Sequence, residues 1–286
     1  MADMSNVSGE RPLLQSVIAL TSASVLGAGG LLLGFALLVV TIAGITFVSG
    51  TTPSQFAFLV LSLVFVQGIG CAGVALSYYK LRPALAPRVR SLLDLAGDGE
   101  QFGLPAAVPS LRQAAVVLGG YAAAIVWVML SGVLLTVIQN LRGERIQTGN
   151  NAAAELGQSN PELLLLLIPA SVLLIGPGEE LLFRGVVQGR LRERFSPAIG
   201  IAIASVIFAG LHIFALVGGS WVGNLVVVSI LFGTSTVFGI AYEYAENVVV
   251  PSLIHGLYNA TLFTVLYVSL ALGDELQQGA LMGLAG

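Results

Sequence analysis

Apolar residues run in long blocks along this chain, separated by short polar intervals. No stretch alternates apolar and polar residues with a period of two. Seven blocks reach the ~20 residues that a helix needs to cross a bilayer core. They lie at about 24–49, 55–79, 113–138, 162–183, 197–217, 222–242 and 248–272. Within a bilayer only helices and closed barrels satisfy every backbone N–H and C=O, and barrel strands would alternate. The pattern therefore predicts an all-α fold, a polytopic membrane helix bundle of about seven transmembrane helices. The first block begins near Leu13 and is longer than one crossing needs, so it tilts or opens with an interfacial segment.

The polar intervals set an orientation. Lys80, Arg82, Arg88, Arg90 and Arg112 follow the second block, and Arg190, Arg192 and Arg194 follow the fourth. Two crossings separate these clusters, so both lie on one side, and positive charge marks that side as cytoplasmic. The N-terminus, with Arg11, falls on the same side, and the C-terminus on the other. Arg142 and Arg145 fall outside, offset by Glu144, Glu155 and Glu162. The opening residues lack the basic region of a signal peptide and read as a polar tail. The 80–112 interval reads as an interfacial amphipathic helix followed by a Gly/Pro-rich linker, and 140–161 as an external loop. Glycine clusters such as GAGG suit close helix packing.

Composition narrows the class. Of 286 residues, 56% are hydrophobic and 9% charged, against about 25% charged in a soluble domain. An integral, multi-pass membrane protein in contact with the lipid bilayer follows. A net charge of −3 argues against a nucleic-acid partner. The single cysteine, Cys71, rules out a disulfide framework or a cysteine-rich metal site.

Ionisable side chains inside a membrane cost about 2.5–3.5 kcal/mol each on insertion scales, so each is a functional candidate. Glu179, Glu180 and Arg184 stand at the end of the fourth block. His212 and His255, the two histidines of the chain, stand within the fifth and seventh. Glu243 and Glu246 lie at the far end of the sixth. Glu180 and Arg184, four apart, share a helix face and can pair. Glu179 is turned ~100° away and is free to face a cavity. His255 and Asn259 also lie four apart, as do Phe208 and His212. Phe208 suits an aromatic wall or the core equally. Gly176-Pro177-Gly178 predicts a kink or break just ahead of the glutamates.

A carboxylate, two imidazoles and an amide suffice to activate water and stabilise an oxyanion. Glu179, His212 and His255 could instead bind Zn²⁺ with one open position, although no HExxH spacing is present. No other cofactor is indicated. One conflict arises in depth. His212 lies some 15 residues into its block, or ~22 Å, too far out to meet a Glu179 near a helix end at 183. Either that helix begins nearer Ile201 or the site lies near the midplane.

The stretches EELLFRG, FAGLH and GIAYEYAENVVVPSLIHGLYN resemble the CAAX protease and bacteriocin-processing (CPBP, or Abi) family of intramembrane proteases. That family carries EExxxR, then FxxxH, then HxxxN or HxxxD, and this chain has all three in order over about 175–260. Gly239, Tyr242, Pro251 and His255 also stand where the family has them. The resemblance implies a catalytic membrane core at 161–286, preceded at 1–160 by a tail, three transmembrane helices and loops. It implies that Glu179 and His212 activate water, that His255 and Asn259 form the oxyanion site, and that Glu180 and Arg184 support the set, with Glu180 also counted among the catalytic residues. It implies an intramembrane endopeptidase of the glutamate type, with a peptide or membrane-protein segment as substrate and prenylated CAAX proteins as one substrate class. A proton-coupled transporter would also use buried Glu, His and Arg, but no inverted repeat is found. A non-catalytic scaffold or immunity factor would keep the fold and lose a motif residue, and every motif position is intact.

Overall fold

A computed structural model of the protein describes residues 12–93, 103–271 and 273. The expectations for the N-terminal tail with Arg11, for the part of the Gly/Pro-rich linker at 94–102 and for the C-terminal end lie outside these residues. Among the described residues, seven helices are long and apolar enough to cross a membrane. They are span one (Pro12–Ser49), span two (Gln55–Leu93), span three (Leu111–Arg142), span four (Glu162–Arg192), span five (Pro197–Ala215), span six (Trp221–Ala245) and span seven (Val249–Ala271). The chain is a multi-pass, all-α membrane bundle. Large apolar side chains such as Phe47, Leu118, Leu134 and Val206 point outward from it, as lipid-facing residues do.

Polar residues in the intervals begin and end these helices. Ser54 and Ser220 accept hydrogen bonds from the backbone N–H of Ala57 and Gly223, satisfying donors that a helix start leaves orphaned. Ser110 and Gln113 form a reciprocal capping box at the start of span three. Gly143, at φ 68°, ends that span in the left-handed region where glycine carries no Cβ penalty. The expected external loop is partly folded. It holds strand β1 (Asn150–Asn151) and a short helix, Ala152–Ser159, and β1 pairs antiparallel with β2 (Leu216–Val217) just after span five.

Three helix boundaries differ from the sequence expectation. Span one is a single helix from Pro12 rather than from residue 24. Span two does not stop near 79 but continues to Leu93, so the expected interfacial helix is its own extension. Span four does not end near 183 but runs on to Arg192. Its extra turns are polar yet paired. Arg190 bonds Glu193, Arg192 bonds Glu243 at 2.6 Å, and the buried Arg82 of span two reaches Glu193 at 2.5 Å. Hydropathy reports where the oily residues stop, and these ion pairs let the helix continue.

Of the kink or break expected at Gly176-Pro177-Gly178, the break does not occur. The helix passes through it, preceded by a π-helical turn at Ser171–Ile175 and followed by another stretch at Leu181–Gln188. A proline cannot donate to the turn before it and crowds that turn's carbonyl. A widened turn just upstream relieves both effects without a break. The glycines serve close approach instead. A Cβ at Gly176 would lie 2.6 Å from the Ser252 carbonyl oxygen, and one at Gly256 would lie 2.7 Å from Val172 Cα. Spans four and seven therefore touch backbone to backbone one residue from His255. Gly256→Val is expected to destabilise the protein by about 1–3 kcal/mol through overpacking. Thermal unfolding in detergent measures it, and a variant as stable as the parent would refute this packing.

Span four lies at the centre. Leu182, Phe183, Val186, Val187 and Leu191 pack with Ala23, Ala75, Ala204 and Phe208 from spans one, two and five. Cys71 is a fully buried free thiol in the same cluster. On the opposite side, Phe238 and Ala241 of span six pack with Ile254 and Tyr258 of span seven and Val117 and Ala124 of span three.

Candidate active site

Spans four and five resolve the conflict in depth. Glu179 lies 13 residues before Arg192, and His212 lies 15 residues after Pro197. At 1.5 Å per residue these are ~20 and ~22 Å from the turn that joins the two helices. The residues meet at one level because span four is longer than hydropathy suggests. Span five begins at Pro197 and not near Ile201.

Glu179 is 6% exposed, and its two carboxylate oxygens have different surroundings. Oε1 accepts a hydrogen bond from Gln67 Nε2 of span two at 2.8 Å. Oε2 is buried and makes no hydrogen bond among the described residues. It stands 3.8 Å from His212 Nε2 and 4.0 Å from His255 Nε2. These separations are too long for direct hydrogen bonds.

Each imidazole is oriented through its other nitrogen. His212 Nδ1 lies 2.8 Å from the Phe208 carbonyl oxygen, one turn earlier in span five. A carbonyl only accepts, so Nδ1 carries the proton and, in the neutral ring, Nε2 presents its lone pair. His255 Nδ1 lies 2.9 Å from Glu180 Oε1. Phe208 packs between the two rings, with centroids 4.3 Å from His212 and 6.0 Å from His255. It is both an aromatic wall and a core residue, since its ring also meets Phe183 edge-on at 4.9 Å. Phe238 of span six stacks on His255 from the other side, at 4.9 Å.

Glu180 and Arg184 form the ion pair that their spacing predicts, at 2.9 Å with both side chains fully buried. The guanidinium also donates to Ser235 Oγ at 2.6 Å and Gln188 Oε1 at 3.4 Å, and lies 5.6 Å from the Phe208 ring centroid. Gln188 in turn donates to the Gly239 carbonyl and to Glu243, which binds Arg192. Glu180, Arg184 and Gln188 are thus successive rungs of a polar ladder on one face of span four. Glu243 joins that ladder. Glu246 instead ends span six at φ 48° and lies apart from the histidines. Asn259, one turn beyond His255, is half-buried, and its amide makes no hydrogen bond among the described residues.

The structure therefore brings Glu179, Glu180, Arg184, Phe208, His212 and His255 together, with Asn259 on the same face of span seven as His255. Gln67, Ser235, Gln188 and Phe238 escape a reading restricted to ionisable groups. The signal for Gln67 was an isolated amide in LVFVQGIG, and that for Gln188 was its continuation of the Glu180–Arg184 spacing.

Glu179 Oε2 and the two Nε2 atoms are also the set that could hold Zn²⁺. Two ligands of a tetrahedral zinc at 2.0–2.1 Å stand about 3.3 Å apart. The separations of 3.8 and 4.0 Å are wider. Among the described residues no group of three or more His, Cys, Asp or Glu is arranged to hold an ion.

Residues 161–261 match the model of the type II CAAX prenyl endopeptidase, Rce1-like family. This segment is similar to the CAAX protease family. It spans the motif residues from Glu179 to Asn259 and leaves out spans one to three. The chain is also 35% identical over 103 residues to the uncharacterized protein YpbD of Bacillus subtilis (strain 168). That alignment covers 36% of this chain and 44% of the relative, so less than half of the relative's length is matched. No solved structure matches. Within the matched segment, the ordered motifs coincide with the buried polar cluster, and the apolar remainder packs around it.

Proposed function

We propose that this protein is an intramembrane endopeptidase in which Glu179 activates water to hydrolyse a peptide bond. The observation that carries this reading is the unpaired, buried Glu179 Oε2 facing two oriented imidazole nitrogens at 3.8 and 4.0 Å. Two acceptors at that separation subtend about 90° at a water 2.8 Å from each, close to what its two O–H donors can serve. Glu179 takes one proton from the water while its oxygen attacks the carbonyl carbon, and His212 Nε2 holds the other proton. The carbonyl π electrons pass to oxygen. His255 Nε2–H and the Asn259 amide donate to that oxyanion. A proton on both nitrogens of His255 makes the buried set of two carboxylates, one guanidinium and one imidazolium neutral. Collapse breaks the C–N bond, and the proton on Glu179 passes to the leaving amine. Glu180 holds the imidazolium through Nδ1, and Arg184 anchors Glu180.

A peptide or a membrane-protein segment is the substrate class, and the family description places prenylated peptides among those to test. The basic ends of spans two and four face the cytoplasm in this reading, which puts the N-terminus there too. The experiment is cleavage of a mixed panel of peptides and prenyl-peptides by the purified protein, with and without a strong chelator. Cleavage that survives chelation is expected. Loss on chelation that Zn²⁺ restores would replace the water-only mechanism with a metal-assisted one. His212→Ala is expected to lower turnover by about 10²–10³, the range for losing one group that holds a reacting oxygen. Unchanged turnover would remove His212 from the site.

A further inference from the structure

We propose that Gln67 of span two is a positioning residue that fixes Glu179, so that the active site is completed from outside the matched segment. This deepens the peptidase reading of Glu179 and rests on it for its catalytic meaning. The carboxylate of Glu179 makes one hydrogen bond among the described residues, and Gln67 Nε2 supplies it at 2.8 Å. Both histidines stand beyond hydrogen-bond distance. A glutamate head group turns freely about its last bond unless something holds it. The amide engages Oε1 and thereby leaves Oε2 to face the imidazoles.

Two further observations show that the fold is arranged around this contact. A Cβ at Gly178 would lie 2.7 Å from the Gln67 carbonyl oxygen, so the residue before Glu179 must be glycine for span two to come this close. Gln67 also lies within an eleven-residue π-helical stretch, Leu63–Gly73, and such widened turns are frequent at functional sites. The other amide atom, Gln67 Oε1, is buried without a hydrogen bond. Leaving it unmatched costs stability. An apolar residue would avoid that cost and lose only the donor to Glu179.

The test uses the full-length purified protein and a membrane-soluble carbodiimide, which reacts with the protonated carboxyl. Modification of Glu179 is quantified by peptide mass spectrometry. Gln67→Met keeps the length and removes the donor. It is expected to be modified about tenfold faster at neutral pH, because the amide no longer covers and holds Oε1. Gln67→His, which restores an N–H at similar reach, is expected to return the rate to within about threefold of the parent. Gln67→Asn keeps the amide but draws it back by a methylene. It is expected to behave as the Met variant does, and decides the matter if that variant does not accumulate. On any peptide that the protein cleaves, kcat falls about tenfold in Gln67→Met with KM unchanged, since Gln67 touches the base and not the substrate. Parental labelling in both the Met and Asn variants would overturn the proposal and leave Gln67 a packing residue. The labelling needs no substrate, so it stands even if no peptide in the panel is cleaved, which would count against the peptidase reading alone.

Discussion

Glu179→Gln is expected to lower hydrolysis by about 10²–10⁴-fold, the range that a positioned general base supplies. The substitution keeps the volume of the side chain. It also keeps an oxygen able to accept from Gln67, so the contact between spans two and four survives. What changes is the atom facing the imidazoles. An amide nitrogen there donates to the lone pair of His212 Nε2 and cannot take a proton from water. Turnover and thermal unfolding measured together separate the two effects. The expected result is a protein as stable as the parent that does not cleave, and full activity in this variant would sink the assigned mechanism.

The second large effect concerns stability. Arg184→Met leaves Glu180 buried with its charge uncompensated, and breaking a buried pair by removing one partner typically costs about 3–5 kcal/mol. Here the guanidinium also holds Ser235 and Gln188 and lies against Phe208, so packing is lost with the charge. Replacing both partners, as Glu180→Gln with Arg184→Met, removes the uncompensated charge and is expected to recover most of that stability. It should not recover activity, because His255 then loses the carboxylate that holds its Nδ1. Unfolding measurements across the single and double variants check this. A single Arg184→Met variant with parental stability would show that the pair is not the anchor it resembles.

The seven spans and the residues that meet at Glu179 were legible in the sequence for different reasons. Long apolar blocks admit no structure but helices in a bilayer, so span number follows from composition alone. Glu180 and Arg184 were legible because a four-residue spacing fixes a shared face. Helix length was not, since the turns of span four from 184 to 192 carry Arg184, Gln188, Arg190 and Arg192, which are held in part by residues distant in the chain: Ser235, Glu243 and, through Glu193, Arg82. The unbroken helix at Pro177 was hidden for a related reason. A widened turn at 171–175 leaves no trace in residue type. Gln67 was hidden because one amide scarcely alters the hydropathy of its block, and its partner lies 112 residues away.

The polar ladder on span four also sets an order on how the protein is made. Glu179, Glu180, Arg184 and Gln188 emerge from the ribosome together, in a segment that must enter the membrane. Only Gln67 has been synthesised by then. Ser235, the Gly239 carbonyl and Glu243 arrive with span six, and His255 arrives with span seven. Until those helices are in place, span four carries charges that a lipid environment disfavours. The central helix of the bundle therefore settles late, and the catalytic cluster closes only when span seven inserts.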